Sequence, residues 1–117
     1  MVQRGEVYVI QVELPRAPTG SGEFDERSKL FLILSNPGVR DVVGVFCNTK
    51  RPETRAPRAG EVEVGVAEGF AHVTVVDCRY PFTFPGSAFE GMRPTARLSQ
   101  RVMEEVNEAL AVGLGMI

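Results

Sequence analysis

The chain has 117 residues, 44% of them hydrophobic and 24% charged, with 13 Lys plus Arg against 15 Asp plus Glu and a net charge of −2. That length reads as one domain over 1–117, able to bury a core without disulfides or metals. The apolar content excludes intrinsic disorder, no run approaches the roughly 20 apolar residues of a membrane helix, and the charge balance argues against a generally basic nucleic-acid binder.

Residues 6–12, Glu6-Val7-Tyr8-Val9-Ile10-Gln11-Val12, are rich in β-branched and aromatic side chains and predict a first strand. Residues 13–28 hold Pro15, Pro18, Gly20 and Gly22 and predict a long loop, the kind that is often a functional lid or partly disordered. Leu30-Phe31-Leu32-Ile33-Leu34 is continuously apolar, the pattern of a strand covered on both faces, and Asn36-Pro37-Gly38 ends it in a turn. Val42-Val43-Gly44-Val45-Phe46-Cys47 predicts a third strand, and the basic loop 50–58 follows it. Residues 61–66 alternate with period two, acids on one face and valines on the other. Residues 71–76 predict a fifth strand running into Asp77, and 79–97 a third loop.

From Leu98 the period changes. Leu98, Val102, Val106, Ala109 and Leu110 share one helical face while Arg101, Glu104, Glu105 and Glu108 look away, with Ser99 as N-cap and Gly113 as stop. This predicts a C-terminal helix over about 99–112 with its apolar stripe laid on the sheet. The fold class is mainly β (a β-rich α+β): a small antiparallel, partly open SH3-like barrel with that helix. Cys47 and Cys78 lie inside apolar runs and form no C-x-x-C pair, so they read as buried, reduced thiols. His72 is the only histidine, which excludes a His-rich zinc site; within an apolar strand it reads as structural or surface rather than as a general base. The first residues carry no apolar run after a basic stretch, so no secretion signal and a cytoplasmic location are expected.

Several segments, taken together and in order, resemble the MazF/PemK/Kid group of toxin–antitoxin proteins, which are messenger-RNA endoribonucleases. Arg4-Gly5-Glu6-Val7-Tyr8-Val9 resembles their opening R-G-[DE]-[IV]-[WY] strand, and Pro18-Thr19-Gly20-Ser21-Gly22-Glu23 their P-T-x-G-S-E loop. Leu32-Ile33-Leu34-Ser35-Asn36 is similar to L-V-[IV]-S-N. Asn48-Thr49 stands where the group has T-[ST], Val76-Asp77 where it has the start of x-D-[QN]-[IV], and residues 98–110 resemble its closing helix.

The resemblance implies metal-independent RNA cleavage: the substrate's own 2′-hydroxyl attacks the adjacent phosphorus and leaves a 2′,3′-cyclic phosphate. Such a reaction needs a cation on the non-bridging oxygens, a proton acceptor and a proton donor, but no cofactor. Counting back from Ser35-Asn36, the group's strand-head arginine falls on Lys29, a point charge without the bidentate fork of arginine; Arg27, two residues earlier, shares its face in an extended segment. The phosphate-bonding threonine falls on Asn48, with Thr49 beside it, and asparagine donates but relays no proton. Asp77 matches the acidic position and would orient Arg79 or cap a loop, while Tyr80 stands where an arginine is frequent. The catalytic set implied is Lys29, Arg27, Asn48, Thr49 and Asp77. RNA-binding positions are Glu23, Lys50, Arg51, Arg55, Arg58, Arg79 and Tyr80, with Phe24, Phe82 and Phe84 as rings on which bases stack.

The same resemblance implies a homodimer, single-stranded RNA as substrate, and a cognate antitoxin whose acidic, disordered tail covers the groove. No membrane partner is implied. The departures at Lys29, Asn48 and Tyr80 leave a second reading open, a catalytically inactive module that binds RNA or an antitoxin. A third, a CcdB-like gyrase-directed toxin, rests on the tail Gly115-Met116-Ile117 but lacks the tryptophan expected there.

Overall fold

A computed structural model describes residues 1–15, 24–49 and 58–117 of the chain. Among these residues seven strands form one antiparallel sheet: β1 (Glu6–Pro15), β2 (Phe24–Ile33), β3 (Asp41–Thr49), β4 (Glu61–Val64), β5 (Thr74–Asp77), β6 (Phe82–Pro85) and β7 (Ala96–Arg97). The helix α1 (Gln100–Gly113) closes the chain. The sheet runs β4-β5-β3-β2-β1-β7, with β6 also pairing with β3, and curls into a half-barrel, the fold class expected.

Strand alternation gives the sheet two buried faces. On the helix side, Val7, Leu32, Val45 and Val76 pack against Val102, Met103 and Val106 of α1. On the other, Tyr8, Phe31, Ile33, Val42 and Phe89 form a second cluster. The apolar run 30–34 therefore needs no polar face: Phe31, Leu32 and Ile33 are all fully buried, each contributing about 1.5–3 kcal/mol. Gly44 makes the aromatic side possible. A Cβ there would stand 2.3 Å from the Leu32 carbonyl oxygen and 2.5 Å from the Phe31 ring.

The helix follows its periodicity. Ser99 Oγ accepts from Val102 N at 3.3 Å, and Arg101, Glu104, Glu105 and Glu108 are exposed. Its end differs from expectation. Gly113 is the last helical residue, pressed so closely on β5's exit that a Cβ would stand 2.9 Å from the Cys78 carbonyl oxygen. The left-handed residue is Gly115, at φ 74°.

The strand boundaries differ more. Much of the loop expected over 13–28 is a hairpin arm, because β1 and β2 stay in register out to Pro15 opposite Phe24; residues 16–23 lie outside the described residues. Backbone pairing continues there without an apolar pattern to announce it. The expected strand 61–66 stops at Val64: Gly65 turns the chain into a 3-10 turn (Val66–Glu68), with Glu68 Oε2 accepting from Gly65 N at 2.7 Å. The expected strand 71–76 starts only at Thr74, so His72 is an exposed residue ahead of it rather than within it. The expected loop 79–97 holds β6, a second 3-10 turn (Gly86–Phe89) and β7; Pro81 and Pro85 at the ends of β6 hide so short a strand.

Candidate active site

The site grows from an excursion beside β3. The chain runs antiparallel to β3 twice, first as β5 with Val76 opposite Cys47, then as β6 with Phe82 opposite Gly44. Between these pairings, residues 77–81 leave the ladder opposite Val45 and Phe46, and they carry Asp77, Arg79 and Tyr80. Alternation turns Asp77 to the sheet face away from α1, since Val76 and Cys78 on either side are buried in the helix-side core. Phe46 and Asn48 on β3, and Lys29 on β2, share that face.

A cleft of about 210 Å³ results, lined by Lys29, Phe46, Asn48, Asp77, Tyr80 and Phe82. Lys29 Nζ reaches Asn48 Oδ1 at 3.4 Å across the β2–β3 pair. On the opposite wall Arg79 grips Asp77 with two side-chain bonds, Nε to Oδ1 and Nη2 to Oδ2, both 2.9 Å, while its backbone N–H donates to Oδ1 at 3.1 Å. Asp77 thus both turns the chain and orients the arginine. Those bonds from Arg79 hold the Asp77 carboxyl below its ordinary value, outweighing its partial burial. Arg79 is in turn held more firmly protonated by Asp77, lies 3.7 Å from Glu61 Oε2, and stacks over the Tyr80 ring at 5.3 Å. Neither bond to Asp77 uses Nη1.

Of the residues expected from sequence, Lys29, Asn48, Asp77 and Tyr80 come together in this cleft, and Arg79 joins them through Asp77. Arg27 is exposed on the same face of β2, about 7 Å further along the strand, and does not line the cleft. Thr49, paired with Thr74, falls on the opposite face from Asn48 by alternation and is separated from it. Arg58 precedes β4, its backbone N–H donating to Glu61 Oε1 at 2.7 Å, and it does not line the cleft. Glu23, Lys50, Arg51 and Arg55 lie outside the described residues. Sequence reasoning missed Phe46, the floor of the cleft, although two positions before Asn48 on one strand is where a floor residue must stand.

Two other features carry less chemistry. A hollow of about 650 Å³ is lined by Val2, Glu6, Tyr8, Val42, Phe89 and Met92 among others, but by no Lys or Arg. Its buried carboxylate is already held: Glu6 accepts from Gln3 N at 2.6 Å, Tyr8 OH at 3.0 Å and Arg97 Nη2 at 2.9 Å. Burial pushes the Glu6 carboxyl up, but these bonds together outweigh it and leave it below its ordinary value. Burial also pushes the thiols of Cys47 and Cys78 up to about 12; they are buried and free, as expected. No group of three or more His, Cys, Asp or Glu among the described residues is placed to hold a metal ion, and no helix among them is long and apolar enough to cross a membrane.

No family model matches the sequence, and no curated protein matches it. Solved structures do match in shape. An endoribonuclease from a mycobacterial species, in complex with its cognate antitoxin, superposes with a TM-score of 0.69 at 24% identity, over 100% of this chain and 98% of that one. A second mycobacterial endoribonuclease gives a TM-score of 0.66 at 24% identity, over 97% and 91%. The Mycobacterium tuberculosis toxin MazF-mt6 gives 0.65 at 19% identity, over 94% and 96%. Over almost its whole length, this chain has the fold of the MazF-type toxin endoribonucleases.

Proposed function

We propose that the chain is a toxin-type endoribonuclease that cuts single-stranded messenger RNA without a metal, its substrate's 2′-hydroxyl attacking the adjacent phosphorus to leave a 2′,3′-cyclic phosphate and a free 5′-hydroxyl. The single observation that carries this reading is the cleft, which gathers Lys29, Asn48 and Asp77 on one face of the sheet, with Arg79 bonded to Asp77 beside it. The negative charge that grows on the non-bridging oxygens is met by Lys29 and by the Nη1 edge of Arg79. Asn48 donates its amide N–H to the same phosphate. Asp77 is a positioning residue. Arg27 draws the chain's next phosphate toward the cleft, and Lys50, Arg51, Arg55 and Arg58 add phosphate contacts beyond it. A homodimer and an antitoxin with an acidic tail complete the proposal.

A second reading rests on the same geometry. Asp77, the carboxylate that lines the cleft, is clamped by Arg79 and kept ionised, and a carboxylate held below its ordinary value is a weak proton acceptor near neutral pH. Asn48 relays no proton. A chain so equipped would bind RNA and leave it intact. Incubation with long single-stranded RNA in excess EDTA separates the two. Cleavage is expected, slowed by about 100-fold in Lys29→Ala, the loss typical of one transition-state donor, and by less in Arg27→Ala. Intact RNA throughout establishes the binding module, and cleavage undiminished in both variants removes the site from this cleft.

A further inference from the structure

We infer that the cleft seats one unpaired nucleobase of the RNA, stacked on Phe82 and Tyr80 beside the phosphate held at Lys29. This rests on the RNA-binding reading above and names which part of the substrate the apolar end of the site takes.

Two large rings stand in solvent here at some cost. Phe82 is 47% exposed and Tyr80 62%, whereas burial of such a ring is worth about 1.5–3 kcal/mol. Phe84, two residues on, shows what β6 does with a ring it keeps for the core: it packs edge-on to Phe31 at 5.0 Å and to Phe89 at 6.4 Å. Phe82 instead meets only the rim of the aromatic cluster, its ring 4.9 Å from Phe46 at 65°. That contact fixes the Phe82 ring before anything binds, so little side-chain freedom remains to be lost on stacking. Tyr80 is fixed in the same way by the Arg79 guanidinium over its face.

The chemistry around these rings is bipartite. The lining combines the Lys29 ammonium against Asn48 and the Arg79-paired Asp77 carboxylate with the rings of Tyr80, Phe82 and Phe46. A nucleotide of a single strand has the same two parts, an anion and a flat ring. A volume of about 210 Å³ falls short of the roughly 300–1,000 Å³ of sites that enclose whole small molecules, but suits one unit of a longer chain. Of the three rings proposed from sequence for stacking, Phe84 faces the core, Phe24 has no described side chain, and Phe82 alone borders the cations.

The test uses fluorescein-labelled pentamers that cannot be cleaved: 2′-O-methyl uridine, and an abasic pentamer of equal charge. Anisotropy titrations at low salt compare the wild-type chain with Phe82→Leu, which keeps apolar bulk but has no ring, and Phe82→Trp, which keeps a ring. Phe82→Leu is expected to weaken uridine-pentamer binding about 5- to 150-fold, leave the abasic pentamer's binding unchanged, and be rescued by Phe82→Trp. Equal losses on both pentamers, or no loss on either, overturn the inference while the nuclease reading stands on its own cleavage assay. Failure of the wild-type chain to bind either pentamer overturns the RNA-binding reading and the inference together.

Discussion

At the residue scale, the fate of Asp77 shows how one side chain serves both structure and site. It caps the turn that leaves β5 and fixes the guanidinium of Arg79. Because its folded-state carboxyl lies below the unfolded value of about 3.9, it contributes stability that is present above that value and lost as pH falls through the folded one. Glu6 titrates in the same sense. The stability of wild type to urea is thus expected to fall below about pH 4, and Asp77→Asn to flatten that fall; parallel pH profiles would separate Asp77 from the acid transition. The sequence made this pair legible because the two residues are neighbours along the chain. That Lys29 and Asn48 share a site was legible only through resemblance, and their contact was not, since no local pattern announces a pairing between β2 and β3.

At the element scale, the site exists because β5 and β6 share one partner and the chain between them does not pair with β3. The longer elements could be read directly: α1 from apolar periodicity, β3 from its apolar run, and the two-faced burial of 30–34 from its unbroken apolar run. The ends of the β1–β2 hairpin could not, because main-chain pairing out to Pro15 and Phe24 needs no apolar side chain to mark it. Nor could β6, whose only short-range signal is two phenylalanines between prolines. Gly44 is where β3 yields to the ring of Phe31, so Gly44→Ala is expected to destabilise the fold by about 1–3 kcal/mol through overpacking, read as a lowered urea midpoint. Loss of the α1 cap in Ser99→Ala is expected to cost about 1 kcal/mol. A Gly44→Ala chain as stable as wild type would mean that the sheet relaxes freely there.

At the scale of the whole molecule, the acids of α1, Glu104, Glu105 and Glu108, are exposed on the helix side. The opposite face of the sheet carries Lys29 and Arg27, and the carboxylates nearest them, Asp77 and Glu61, are paired with Arg79. A net charge of −2 is thereby compatible with a polyanion bound at that face. The two thiols lie in the helix-side core with their ionisation pushed to about 12, so the folded chain is expected to resist a thiol-specific reagent at pH 8 and to react fully once unfolded; rapid labelling of the folded chain would contradict the packing of α1 on the sheet. Light scattering of the purified chain is expected to give twice the monomer mass.

The cleft on β2, β3 and the β5–β6 excursion is proposed to cleave RNA through the substrate's own 2′-hydroxyl. The most direct measurement maps the cleaved bond in a long RNA, then replaces the nucleotide on its 5′ side by the 2′-deoxy form in a short synthetic substrate and follows cleavage in EDTA. The all-ribose substrate is expected to yield a 2′,3′-cyclic phosphate and the deoxy substrate to remain whole. Cleavage of the deoxy substrate at the same bond and rate would contradict the account.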